Sequence, residues 1–154
     1  MHMTGDATTL SSLLGWWQLI SCDIEFQASG RLQPIYGTPA SGYIYFDANG
    51  QMMTVIEALG PDPRIPIVEA EQSRRGMAYA GSFQLMGNQW VTQVDAACNV
   101  GWTGTVQRRW FRVEGDHLLV HSDWGGSPQH SADSIRARLV WKRCPQSMNG
   151  ISSR

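Results

Sequence analysis

Few side chains in this chain are placed to do chemistry. The segments Gln93-Val94-Asp95 and Gln107-Arg108-Arg109 each put an amide two residues before a charge. In an extended strand, residues i and i+2 share a face, so each segment offers one amide and one charge on one side. A short connection, Asn99 to Gly104, joins the two segments, and they are expected to pair as antiparallel neighbours. An Asp95–Arg109 pair across them reads in two ways. It can be a salt bridge that holds register. It can also anchor a carbonyl, carboxylate or enolate, because Arg presents a rigid fork of donors. Tyr79 adds a phenol with an unperturbed pKa of about 10. Asp23, in the stretch Ser21-Cys22-Asp23-Ile24-Glu25, adds a second carboxylate. Carboxylate, guanidinium and phenol together suit acid/base work and the stabilisation of an enol or enolate, with no cofactor required.

Other chemistries find less support. Gly125-Gly126 lacks the Lys and the helix pattern of a phosphate loop, and no G-x-S-x-G elbow is present. His121, Ser122 and Asp123 are consecutive, so in a strand they point to alternating faces and cannot form a relay. His117, His121 and Asp123 share a face, but three ligands along one extended strand spread too far for one small ion. No metal and no cofactor are expected. Cys98 has no evident base beside it.

The 154 residues carry a net charge of about −1, and 16% of them are charged, so nothing here attracts nucleic acid or an anionic membrane surface. No apolar run is long enough to span a bilayer. The start, MHMTGDATTL, has neither the basic nor the apolar part of a signal peptide. Cys22, Cys98 and Cys144 are odd in number and scattered, which fits free thiols in a cytoplasmic protein. Seven Trp and seven Met supply apolar bulk for a core or a pocket.

The elements that must position these residues are short strands. Alternation places them near 15–26, 42–47, 51–58, 76–86, 89–98, 106–114, 117–124 and 134–143. Tight turns at 47–50, 86–89 and 114–117 separate several of them. Residues 27–42 read as a longer loop, and 59–76 as a proline-containing loop with a helical turn. One helical turn with Thr9 or Ser11 as cap is expected before the first strand. Tails 1–8 and 145–154 read as loose, so 1–154 is taken as one domain with a core at 13–143. About eight consecutive strands joined mostly by hairpins indicate an all-β, up-and-down antiparallel barrel, with a sandwich as the alternative; the dominance of hairpins favours closure.

The residue pattern resembles the lipocalin-like domain family of small bacterial and fungal β-barrel proteins. Gly15, Trp17, Leu19 and Ser21 meet its G-x-W-x-L-x-S, with Asp23 following. Gly42, Ile44, Phe46, Asp47, Gly50 and Met52 meet the next landmark, and Tyr79, Gly81 and Phe83 the one after. Trp102, Gly104, Thr105, Gln107, Arg109, Phe111, Gly115, Asp116 and Leu118 meet a fourth, and Leu139, Trp141 and Arg143 close the pattern. Many relatives carry a His in the middle strand where this chain has Gln93, so chemistry resting on that His is not expected here.

The resemblance implies a barrel with Trp17 plugging its closed end and Arg143 stacked on the Trp17 ring. Ser21 and Asp23 would continue on the Trp17 face toward a polar mouth, or the strand would twist out of the barrel and leave Asp23 in water, where Glu25 is expected. Alternation then turns Val91, Gln93 and Asp95 inward, along with Gln107, Arg109, Phe111 and Ser122. The expected catalytic set is Arg109, Asp95, Tyr79 and Asp23. The expected ligand contacts are Trp17, Met52, Thr54, Ile56, Phe83, Gln93, Gln107, Phe111, Leu139 and Trp141. The expected partner is a small apolar or amphipathic molecule, with a homodimer as an option. The outcome is either a cofactor-independent isomerase, cyclase, hydratase or lyase, or a carrier without chemistry.

Overall fold

The computed structural model describes residues 10–58, 76–125 and 133–145. Alternation of apolar and polar residues drives nearly all of these into strands. They are β1 (Gly15–Phe26), β2 (Leu32–Pro34), β3 (Ser41–Phe46), β4 (Gln51–Glu57), β5 (Gly76–Met86), β6 (Gln89–Ala97), β7 (Val106–Glu114), β8 (His117–His121) and β9 (Ile135–Arg143). Each pairs antiparallel with its neighbour, and β9 returns to β1, so eight strands close a barrel with β2 as an extra strand. Closure removes the exposed sheet edges that invite aggregation. The β3–β4 turn shows how the sequence sets a hairpin. The Asp47 carboxylate accepts hydrogen bonds from the Asn49 and Gln51 amides at 2.9 and 3.0 Å, and Gly50 takes φ of 86°.

The loop expected at 27–42 contains β2. Three exposed residues with a proline carry no alternation signal, and they are held because β1 leaves β3 after Gln18 and its free edge takes up β2 at Asp23–Glu25. A helical turn ends at residue 13, with the Leu14 amide donating to the Leu10 carbonyl. Its expected cap at Thr9, the loop 59–75, and the tails apart from Pro145 lie outside the described residues.

Two β-bulges decide which side chains enter the barrel. In β1, Leu19 faces Trp141 and Ser21 faces Val140, so Ile20 is an extra residue. In β6, Val94 faces Gly81 and Ala96 faces Ala80, so Asp95 is the extra one. An extra residue reverses which face the following residues take. Trp17 and Leu19 point inward before the first bulge, and Cys22 and Phe26 after it. Asp23 and Glu25 therefore lie on the outer face, opposite Arg138 and Arg136. Trp17 and the two acids do not share a face, which corrects the inward expectation for Asp23.

The second bulge corrects β6. Trp90, Thr92 and Val94 are buried, while Gln93 and Asp95 are exposed. The turn already implied this, because Trp90 sits opposite the inward Leu85. Counting back from the inward Ala97 in steps of two crosses the bulge and gives the wrong face. The expected Asp95–Arg109 pair does not form.

The closed end matches its expectation. Trp17 is 0% exposed, its indole donates to the Leu13 carbonyl at 2.9 Å, and the Arg143 guanidinium lies 4.0 Å from its ring centroid. Arg143 also donates to the backbone carbonyls of Leu14 and Ser12. Beyond this plug, Phe46 packs on Phe83 and Trp90 at 5.1 and 5.0 Å, and Trp90 on Phe111 at 5.6 Å.

Candidate functional site

The aromatic stack fills only part of the barrel. A cavity of about 260 Å³ remains, and its lining includes Cys22, Tyr36, Thr54, Tyr79, Trp90, Trp102, Arg109, Ser122, Leu139 and Trp141. That is near the lower end of small-molecule pockets, and equals about eight or nine waters of bulk volume. β1 supplies Cys22 because of its bulge. The loop after β2 supplies Tyr36, whose neighbour Ile35 is tied by its amide to the Cys22 carbonyl at 3.0 Å. Trp102 comes from the β6–β7 connection and packs on Tyr79 at 5.5 Å.

Among the described residues, Arg109 is the one charged side chain in this lining. Its guanidinium donates to the Arg108 carbonyl at 2.7 Å and to the Gln107 amide oxygen at 3.3 Å. Gln107 in turn donates to the Thr105 hydroxyl at 3.0 Å, so a chain of polar contacts holds the guanidinium in place. Among the described residues no carboxylate pairs with it.

The other titratable groups in the lining are held protonated. Burial pushes the Cys22 thiol up to about 12, with the Asp23 charge adding and Arg109 opposing. Burial likewise pushes Tyr36 up to about 12, with Cys22 adding and Arg109 opposing. Tyr79 is also raised by burial, against the pull of Arg109. Low polarity disfavours the anionic form of each group. Two indole N–H groups, on Trp90 and Trp141, are buried without a hydrogen-bond partner. The Thr54 hydroxyl is occupied, donating to the Tyr43 carbonyl at 3.1 Å. Ser122 accepts from the Ala137 amide at 2.9 Å and donates to the Asp123 carbonyl.

Of the residues expected at a site, Arg109, Tyr79, Thr54, Leu139 and Trp141 meet in this lining. Gln107 stands behind Arg109. Trp17, Met52, Ile56, Phe83 and Phe111 are buried in the core, outside the lining of this cavity. Gln93, Asp95 and Asp23 are on the outer side of the barrel. Cys22, Tyr36, Trp90 and Trp102 were missed as site residues. Only Trp90 had a readable signal, through its turn register opposite Leu85.

A second group lies outside the barrel, across β7, β8, β9 and β1. Glu25 and Arg136 form an ion pair at 2.8 Å, and Arg136 stacks on Trp124 at 4.3 Å. Trp110 donates to Asp123 at 2.6 Å and stacks on His121. Glu25 and Arg136 pair with each other and Asp123 is held by the Trp110 indole, an arrangement that suits a structural clasp. Among the described residues no three His, Cys, Asp or Glu gather to hold a metal ion.

Closed antiparallel topology, a Trp plug under Arg and an internal cavity define a small lipocalin-type barrel. Residues 14–144 match the family model described as a lipocalin-like domain, and the chain belongs to that family. No curated protein matches the chain. Among solved structures it is similar to a lipocalin-like protein from Bacteroides uniformis, with 11% identity and a TM-score of 0.47, over 86% of this chain and 99% of that one. A protein from Bacteroides eggerthii follows, with 9% identity and a TM-score of 0.45, over 86% and 99%. One from M. tuberculosis has 13% identity and a TM-score of 0.39, over 91% and 98%. No described helix is long and apolar enough to cross a membrane.

Proposed function

We propose that the barrel binds a small, largely apolar molecule and carries it without transforming it. The observation behind this reading is the cavity, with apolar walls and one fixed polar corner at Arg109. A carrier needs only a pocket. An enzyme also needs a group that can accept a proton within reach of the ligand. Cys22, Tyr36 and Tyr79 all keep their protons, and both candidate carboxylates face outward. The unpaired state of Cys22, Cys98 and Cys144 fits a reducing compartment such as the cytoplasm.

One observation supports a second reading. The Tyr36 and Tyr79 hydroxyls make no hydrogen bond among the described residues, so two proton donors and a cation are available to a bound oxygen. A cofactor-independent isomerase, cyclase or lyase, of a biosynthetic or catabolic pathway, could use them if the substrate carries its own base.

Titration with naphthalene-sized probes, read by Trp fluorescence and by the rise in melting temperature, tests the binding reading. Binding is expected, and Ala137→Phe, which fills the cavity, is expected to abolish it. Absence of binding by every probe, or binding that survives Ala137→Phe, overturns it. Sedimentation velocity over a range of concentrations tests the homodimer option, and a monomer at every concentration removes it.

A further inference from the structure

Resting on the binding reading, we propose that the ligand is a planar monoanion with its charge on oxygen, such as a small aromatic carboxylic acid, seated with that oxygen on Arg109. The polar groups around the cavity are unbalanced in one direction. Arg109 has five N–H donors and no acceptor, and the hydrogen bonds it makes go to two neutral oxygens. The Tyr36 and Tyr79 hydroxyls add two more donors. The hydroxyls of Thr54 and Ser122 are already engaged with backbone groups. What the described lining lacks is an acceptor with negative charge.

The Arg109 guanidinium is half-buried beside apolar walls, and its described contacts are neutral oxygens, so an anionic oxygen is the partner that would add a charge-assisted hydrogen bond there. One guanidinium matches one negative charge. A second anionic group would enter without a partner, and a cation would meet Arg109 directly. The walls select the rest of the molecule. Trp90, Trp102, Trp141, Tyr36 and Tyr79 present flat faces and edges, which stack on a planar body.

Three probes of one shape separate the possibilities: 2-naphthoate, neutral 2-naphthamide, and the cation (naphthalen-2-yl)methylammonium. The native protein is expected to bind the naphthoate about 10- to 100-fold more tightly than the amide, the range of a charged hydrogen-bond pair. The cation is expected to bind more weakly than the amide. The preference for naphthoate should stay constant from about pH 6 to 9, where Arg and the acid both remain ionised. Arg109→Met should bring naphthoate down to the level of the amide and leave the amide within about twofold. Arg109→Lys, which keeps the charge and loses the fork, should retain part of the preference.

Equal affinity for naphthoate and amide in the native protein overturns the inference and leaves the binding reading standing. So does a preference that survives Arg109→Met in a folded barrel. Failure of all three probes overturns both. The native comparison is decisive even if a variant does not fold.

Discussion

Cys22 is a thiol that burial holds neutral far into the alkaline range, and its titration couples to folding. In an unfolded chain it would lose its proton near 9.0, and in the barrel near 12. Between those values the unfolded chain binds fewer protons than the native one, so stability falls as pH rises. The contribution is complete below about pH 9 and gone above about pH 12, with a limiting slope of about 1.4 kcal/mol per pH unit. Tyr36, raised from 10.0 to about 12, adds in the upper part of the same window. Urea midpoints at about pH 8 and pH 10.5 check this. Cys22→Ala is expected to flatten the early part of the fall. The same burial makes Cys22 slow toward thiol reagents. Cys98, which is exposed, should be modified first, as peptide mapping after brief labelling would reveal.

At the scale of the strands, the β6 bulge depends on a glycine. A Cβ on Gly81 would stand 1.8 Å from the Gln93 carbonyl oxygen and 3.2 Å from the Asp95 amide nitrogen, both backbone atoms that cannot turn aside. Gly81→Ala is expected to cost about 3 kcal/mol or more. Ser82→Ala, at the exposed neighbour, should change stability by less than about 0.5 kcal/mol. Denaturant titration of both variants checks the contrast. The same bulge marks where legibility in the sequence ended. Strand positions could be read because alternation is local, and β1, β5 and β7 run between the residues expected. A bulge exists only relative to a partner strand, so Ile20 and Asp95 look like ordinary strand residues in one dimension. Arg109 and Tyr79 precede no such irregularity within their own alternation and were placed inward. Asp23 lies beyond a bulge and Asp95 is the bulged residue itself, and both were misplaced. Tyr36 follows a strand that the sequence does not announce.

For the whole molecule, closure rests on β1 meeting β9, the pair most distant along the chain. Arg143 fastens that seam at the plugged end, through the Trp17 ring and the carbonyls of Leu14 and Ser12. Arg143→Met keeps most of the bulk and removes all three contacts. It is expected to destabilise the barrel by about 2–4 kcal/mol, or roughly 2–4 °C in Tm for each kcal/mol in a chain of this size. Differential scanning calorimetry checks it. The cavity lies beyond the plug, so the preference for naphthoate at low temperature should survive this change, whereas Arg109→Met reduces naphthoate to the level of the amide.

The same seam brings two remote stretches of backbone side by side. The Cys144 amide donates to the Trp16 carbonyl at 3.0 Å, so residues near 12 and near 145 emerge together. A short flexible linker could join them, and the chain could be reopened at the exposed Gly87-Asn88 tip between β5 and β6. The rearranged polypeptide would begin with β6 and end with β5, yet each of the eight strands of the ring would keep both neighbours. A protein permuted in this way should still enclose its cavity, because a ring of strands has no first member.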